Sequence, residues 1–230
     1  MTTVLIAHGS PDPRHAIAMA DLARRAQTST NRRTSCAFLE HNQPSVTAAL
    51  ALAADETNEP NESIETVGLF LSAGHHVRVD VPAQIASSKV KGMSHAGHLG
   101  VGAWLISALE EQLAALGTEK ADGVAAIAAG SANPDARDEV IALASTWQRD
   151  RGIPVRPAFA SGEGPSISEA LGMLKDAECE NSVIALLMLA PGVLADRVIQ
   201  AGRDYDVPVT APLVEGDAIV DRINELTLQT

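Results

Sequence analysis

Residues 2–10 read TTVLIAHGS, and residues 123–131 read GVAAIAAGS. Each is a short apolar run that stops at a small-residue turn, and Gly9 and Gly130 stand 121 residues apart. A second pair of segments keeps that spacing. CAFLEHNQPSVTAAL (residues 36–50) and PAFASGEGPSISEAL (residues 157–171) set Pro44 and Pro165 121 residues apart as well. A third pair, VGLFLSAGHHVRVDV (residues 67–81) and VIALLMLAPGVLADRV (residues 183–198), is offset by about 117. Two segments that hold one spacing without a gap point to an internal duplication.

Working outward from these segments, the first copy alternates strand-like and helix-like runs. Residues 3–7 (TVLIA), 35–39 (SCAFL) and 66–71 read as strands. Residues 13–27 and 44–54 read as helices, the second with Pro44 in its first turn. Residues 82–91 look weakly helical. A glycine- and histidine-rich stretch at 92–102 precedes an amphipathic helix at 103–116. This alternation predicts β-α-β units and parallel sheets. The expected fold is α/β, in two similar lobes, each a small parallel sheet flanked by helices. Residues 1–119 form the N-terminal lobe carrying the site, and residues 120–230 a degenerate C-terminal repeat. One continuous sheet is the alternative.

The chain has 230 residues, 46% of them hydrophobic, enough to give each lobe a core. Its net charge of −12 argues against nucleic acid, whose phosphates need a basic face, and against an anionic membrane surface. Cys36 and Cys179 make no C-x-x-C motif and read as reduced structural thiols. No basic segment precedes the first apolar run, so no secretory signal is read. The longest apolar run, residues 183–189, falls far short of the roughly 20 residues that span a bilayer. A cytoplasmic location is the expectation.

The duplication supplies an internal control: residues that build the fold persist in both copies, and residues that serve a site need not. Gly9 and Gly130, Ser10 and Ser131, Pro44 and Pro165, Ser45 and Ser166 persist. His8 faces Ala129, Glu40 faces Ser161, and His76 faces Val193 or its neighbour. All seven histidines lie before residue 99. The lobe can therefore be built without them, and a single site in the first half is expected.

In open parallel sheets, ligands bind beyond the carboxyl ends of the strands. His8 ends the first strand, Glu40 the second, and the pair His75-His76 the third. Two imidazoles and a carboxylate suit a divalent transition metal, and the same groups exchange protons near neutral pH. An extended backbone would send His75 and His76 to opposite faces, so one of the two points inward; the residues alone leave open which.

HGSPDPR (residues 8–14), FLEHNQPSV (residues 38–46) and LFLSAGHHVRVDVP (residues 69–82) resemble the sirohydrochlorin chelatases, the class II cobalt- or iron-inserting enzymes of the CbiX and SirB type. HLG at residues 98–100 resembles their linker. Longer members contain two lobes, the second degenerate, so the resemblance covers the whole chain and implies an active-site cleft between the lobes. The family pattern at the third motif selects His76, with Asp80 and Pro82 in register, and puts His75 at the variable position. The resemblance implies His8, Glu40 and His76 as the catalytic and metal-contacting set, with His75 a further candidate ligand.

The activity so implied is ATP-independent insertion of Co2+ or Fe2+ into sirohydrochlorin, in cobalamin or siroheme biosynthesis. No cofactor is expected beyond the substrate metal ion, for which Ni2+ is a further candidate. No GxxxxGK[ST] phosphate loop is present. His8 and His76 share the roles of ligand and base, and Glu40 assists. Gly9, Ser10, Arg14 and Arg78 are the candidate substrate-binding residues. Arg14 or Arg78 is expected to pair with a substrate carboxylate, with Lys89 and Lys91 further along. His15 and His41 follow motif residues, and His95 and His98 sit in the glycine-rich stretch. From the second lobe, Asp135, Arg137 and Arg197 are candidates for the substrate's edge. The expected partners are sirohydrochlorin and a divalent metal, with the chain a monomer or weak homo-oligomer. The competing readings are a metal or tetrapyrrole carrier without turnover, and a metal-dependent hydrolase. The hydrolase reading is weakened because no H-E-x-x-H helix is present.

Overall fold

Among the described residues, 1–56 and 63–228 of a computed structural model, seven strands form two parallel sheets. The first sheet runs β2 (Arg33–Phe38), β1 (Thr2–Ala7), β3 (Ile64–Gly68), β4 (Met93–His98). The second runs β6 (Val155–Phe159), β5 (Gly123–Ala128), β7 (Ser182–Leu187). The helices are α1 (Pro13–Thr30), α2 (Val46–Glu56), α3 (Val81–Ser87), α4 (Ala103–Ala115), α5 (Pro134–Arg151), α6 (Ile167–Asp176), α7 (Val193–Asp204) and α8 (Ala218–Leu228). In both sheets the first strand of the repeat is central. Val4, Leu5 and Ile6 in β1, like Val124, Ala125 and Ile127 in β5, have no exposed surface. Strands covered by helices on both faces read as unbroken apolar runs rather than alternating ones, which is why TVLIA and VAAIA were legible.

The duplication recurs in the hydrogen bonds. The amide of Leu39 donates to Ala7 O and that of Ala160 to Ala128 O, at 3.0 and 2.8 Å. Phe38 N–H reaches Pro44 O at 3.0 Å, and Phe159 N–H reaches Pro165 O at 2.9 Å. Each first helix opens on a side-chain cap followed by proline. Asp12 accepts from the Arg14 amide, and Asn133 accepts from the Asp135 amide. Gly9 and Gly130 have φ of +96° and +105°. A Cβ at either would stand 1.9 or 2.0 Å from the carbonyl oxygen of Glu40 or Ser161. Glycine is thus required where the two strand ends meet.

The copies differ at the third and fourth strands. Thr3 pairs with Glu65, and Val124 with Val183, so the third strands lie 118 residues apart. In the second lobe the fourth strand shrinks to a bridge between Ile184 and Val209.

Two compact units emerge, and they do not follow the repeat boundary expected at 119/120. One holds Met1–Gly100 and Ile219–Thr230, the other Val101–Ala218. In the first unit, α8 is tied by Arg222 to Leu99 O at 3.1 Å, by Arg32 to Thr227 O at 3.2 Å and by Asn224 to Ser29 at 3.0 Å. In the second unit, α4 accepts from Trp147 Nε1 and Arg151 through Glu110, and Gln112 donates to Pro212 O. The repeat restarts at β5, but the helix that closes the first repeat belongs to the second unit and the helix that closes the second repeat to the first.

Element bounds shift by up to four residues from expectation, and two features differ in kind. The glycine-rich stretch contains β4, an edge strand whose MSHAGH sequence carries no β-branched residue to announce it. The entry to α3 is a π-helical turn, His76–Asp80, so the weakly helical region starts earlier than residue 82. Both cysteines are free thiols, and burial pushes the Cys36 thiol up to about 12, as suits a structural role.

Candidate metal-handling site

β1 ends at Ala7, so His8 emerges at the carboxyl edge of the first sheet. The π-helical turn after β3 delivers His76 to the same edge. The two rings lie 4.4 Å apart between centroids, at 75° to each other. A metal held at about 2.1 Å by an imidazole nitrogen lies roughly 3.2 Å from the ring centre. Two such rings on neighbouring octahedral positions stand about 4.5 Å apart. The observed spacing fits one shared ion.

The hydrogen bonds show which nitrogens are left open to a metal. His8 Nδ1 lies 2.9 Å from Gly9 O. A carbonyl can only accept, so Nδ1 carries the proton and Nε2 keeps its lone pair. His76 Nδ1 lies 2.6 Å from Asp80 Oδ2, a carboxylate acceptor four residues on. This carboxylate–histidine pairing orients metal-binding imidazoles and raises their basicity. Both rings thus present Nε2 as the available donor. The Phe70 ring lies 6.4 Å from that of His76, inclined at 27°.

Glu40 is close through its backbone and not through its carboxylate. Its amide donates to His8 O at 2.9 Å, while its side chain is exposed, with Oε2 3.6 Å from His41 Nε2. His41, in the left-handed region at φ 63°, lies 6.3 Å from the His8 ring. Among the described residues, no three of His, Cys, Asp and Glu converge as a metal-binding group. The expected triad is therefore a two-imidazole pair with a carboxylate and a third imidazole beside it.

His75 has helical dihedrals (φ −55°, ψ −45°), so the opposite-face argument for an extended pair does not apply. Its ring lies 6.3 Å from His76, and its Nε2 is 3.7 Å from Asp80 Oδ1. Sequence reasoning underrated Asp80, which the family pattern marked only as in register. The signal was its position four residues after His76, on the same face of a turn that has 4.4 residues per repeat.

Two substrate-binding expectations change. Ser10 is engaged by loop residues: its amide donates to Asn42 Oδ1 at 2.7 Å and its hydroxyl accepts from the Asp12 amide at 3.1 Å. Arg14 is engaged by its own neighbour, with Nε 3.0 and 3.1 Å and Nη2 2.5 Å from the Asp12 carboxylate. That guanidinium holds Asp12 below the usual carboxylate range. Gly9 is buried, and its role is the close approach to Glu40. Arg78, Lys89 and Lys91 are exposed. His15 sits beside Phe38 with Nε2 buried and, among the described residues, unpartnered, and burial is the main cause that lowers its pKa. His95 lies on β4 with Nδ1 2.8 Å from Thr66 Oγ1, and His98 ends that strand; neither is a linker residue.

The chain matches the CbiX family profile over residues 2–116 and 123–208, which covers both lobes. It belongs to the CbiX family. Among solved structures, SirB from Bacillus subtilis with Fe3+ is similar at a TM-score of 0.81 and 20% identity, covering 98% of this chain and 94% of that one. A complex of the sirohydrochlorin chelatase SirB from Bacillus subtilis subspecies spizizenii with cobalt has a TM-score of 0.73 and 18% identity, over 99% and 95%. CbiX described as the terminal enzyme of siroheme biosynthesis in denitrifying bacteria has 0.68 and 16%, over 100% and 99%. At these identities the likeness is one of fold. Among curated protein sequences, none matches the chain. No helix among the described residues is long and apolar enough to cross a membrane.

Proposed function

We propose that this CbiX-family chain inserts a divalent metal, Co2+ or Fe2+, into sirohydrochlorin without ATP. The observation that carries this reading is the His8–His76 pair, with the ring centres 4.4 Å apart, each Nδ1 engaged and each Nε2 left with its lone pair for a metal. Family membership and the two SirB structures with Fe3+ and with cobalt support it.

Insertion requires a metal held firmly enough to be positioned and loosely enough to be given up. Two imidazole ligands meet both needs, because most coordination positions stay with water and open to pyrrole nitrogens. As the ion passes to the macrocycle, two pyrrole N–H protons leave. Glu40 and His41, exposed and 3.6 Å apart beside His8, are the proton acceptors in reach. Asp80 keeps His76 in one tautomer while the metal comes and goes.

The test is the absorbance change when protein, sirohydrochlorin and cobalt(II) or iron(II) are mixed. Wild type is expected to accelerate insertion with turnover, and His8→Ala to lose about a hundredfold or more of that rate. A single stoichiometric burst would mark a carrier, and full activity in His8→Ala would remove His8 from the mechanism.

A further inference from the structure

The second lobe keeps the architecture of a strand-end site and reverses its charge. Gly130 approaches Ser161 as Gly9 approaches Glu40, and Ser131 Oγ accepts from Asn133 N as Ser10 Oγ accepts from Asp12 N. The imidazoles are gone, and two guanidiniums stand at the edge instead. Arg137 Nη1 donates to Ser131 O at 2.7 Å, and Arg197 Nη1 donates to Ala160 O at 2.7 Å. Ser131 and Ala160 directly flank the Gly130–Ser161 contact, so the two cations are anchored at one place on the carboxyl edge of the sheet. Their first-lobe counterparts are an apolar and an acidic residue. Arg137 stands 121 residues after Ala16. Arg197 precedes the buried Val198 as Asp80 precedes the buried Val81.

We propose that this edge of the second lobe is a carboxylate-binding site, which takes the acidic side chains of the tetrapyrrole; the ligand's identity rests on the function proposed above. Arginine held through Nη1 keeps its Nε–Nη2 fork for a bidentate carboxylate. Arg197 is in this state, exposed and, among the described residues, hydrogen-bonded through Nη1 to Ala160 O. Arg137 already carries such a ligand in miniature. Its Nη2 is 2.9 Å from Glu163 Oε2, and the Glu163 side chain is 83% exposed while that of Arg137 is 16% exposed. Glu163 is thus a displaceable carboxylate on a largely buried cation. This also resolves how a chain of net charge −12 can bind a polyanion, since local charge and not net charge decides.

The experiment is equilibrium binding of a metal-free octacarboxylic porphyrin to the full chain, followed by quenching of tryptophan fluorescence at two salt concentrations. Arg197→Ala is expected to weaken binding about tenfold and to flatten its salt dependence, with partial recovery in Arg197→Lys. Glu163→Gln is expected to tighten binding by freeing Arg137, an effect that loss of folding cannot imitate. Unaltered affinity in both Arg197→Ala and Glu163→Gln overturns the proposal, as does absence of porphyrin binding to wild type. The metal-insertion assay on wild type is read separately. Arginine-dependent binding without insertion would keep the site and discard the chelatase reading.

Discussion

In the first lobe, six residues separate Gly74 from the buried Val81; in the second, five separate Gly192 from the buried Val198. Both glycines accept the amide four residues on, from Arg78 at 3.2 Å and from Asp196 at 2.9 Å. The helices therefore start and end their first turns alike, and the first lobe must absorb one extra residue between. It does so in the π-helical turn His76–Asp80, closed by the Val81 amide on His76 O. The second lobe runs directly into α7. The extra residue serves no need of the fold, since the other copy folds without it. It falls in the turn that carries His76, whose ring meets that of His8, and Asp80, whose carboxylate bonds His76 Nδ1. Single-turn π insertions gather at functional sites.

The largest effect is expected from erasing this difference. Deleting Val79, whose side chain is exposed, converts the turn to the shorter form of the second lobe. The chain should still fold, while His76 rotates by about 100° about the helix axis and insertion falls by about a hundredfold or more. Undiminished turnover in the deletion variant would detach the π-helical turn from the chemistry.

A second contrast lies inside the sheets. Glu65 and Val183 hold the same register position, and both are fully buried. Neither carboxyl oxygen of Glu65 has a hydrogen-bond partner among the described residues. Leaving buried acceptors unpaired costs stability, and an apolar side chain of similar size removes that cost. Glu65→Met is expected to stabilise the chain by about 1–3 kcal/mol in denaturant unfolding. Destabilisation would mean that the carboxyl group is satisfied in solution.

The smallest effect concerns the second helix of each lobe. Ser166 and Glu169 form a reciprocal cap at the start of α6, whereas Ser45 in the first lobe is followed at the matching place by Ala48. The Ser166 amide and hydroxyl, donating to the Glu169 carboxylate, hold its pKa below the usual glutamate range. A depressed carboxylate adds stability above its unfolded pKa and loses it as pH falls through the folded one. Glu169→Gln should therefore lower Tm slightly at pH 7, and the gap to wild type should close below pH 4.5. A gap independent of pH would assign the effect to something other than the charge.

The two lobes were legible in the sequence because the 121-residue spacing is kept by residues the backbone needs: Gly9 and Gly130 where strand ends touch, Pro44 and Pro165 where a carbonyl is presented to the preceding strand. His8 was legible because it follows an unbroken buried strand. The π-helical turn was not, since a one-residue insertion inside a helical entry leaves no change in composition. Its only trace was the drift of the offset from 121 to about 117, which pooled this residue with the shorter loops around it. Glu40 was placed at the correct strand end, but strand position does not determine a side-chain rotamer, and its carboxylate turns to His41. β4 was missed because a sheet edge pairs on one side only, which lets MSHAGH serve without β-branched residues. The separation into compact units was hidden because α4 and α8 are both amphipathic, and a sequence pattern does not say which apolar face each one covers.

The most direct test is a cobalt(II) titration of the metal-free chain followed through the imidazole resonances. One equivalent should perturb His8 and His76, with Nε2 the coordinating atom in each, and the response should vanish in His8→Ala and leave the second lobe untouched. Uptake of one cobalt with unchanged affinity by a chain lacking both His8 and His76 would contradict the account.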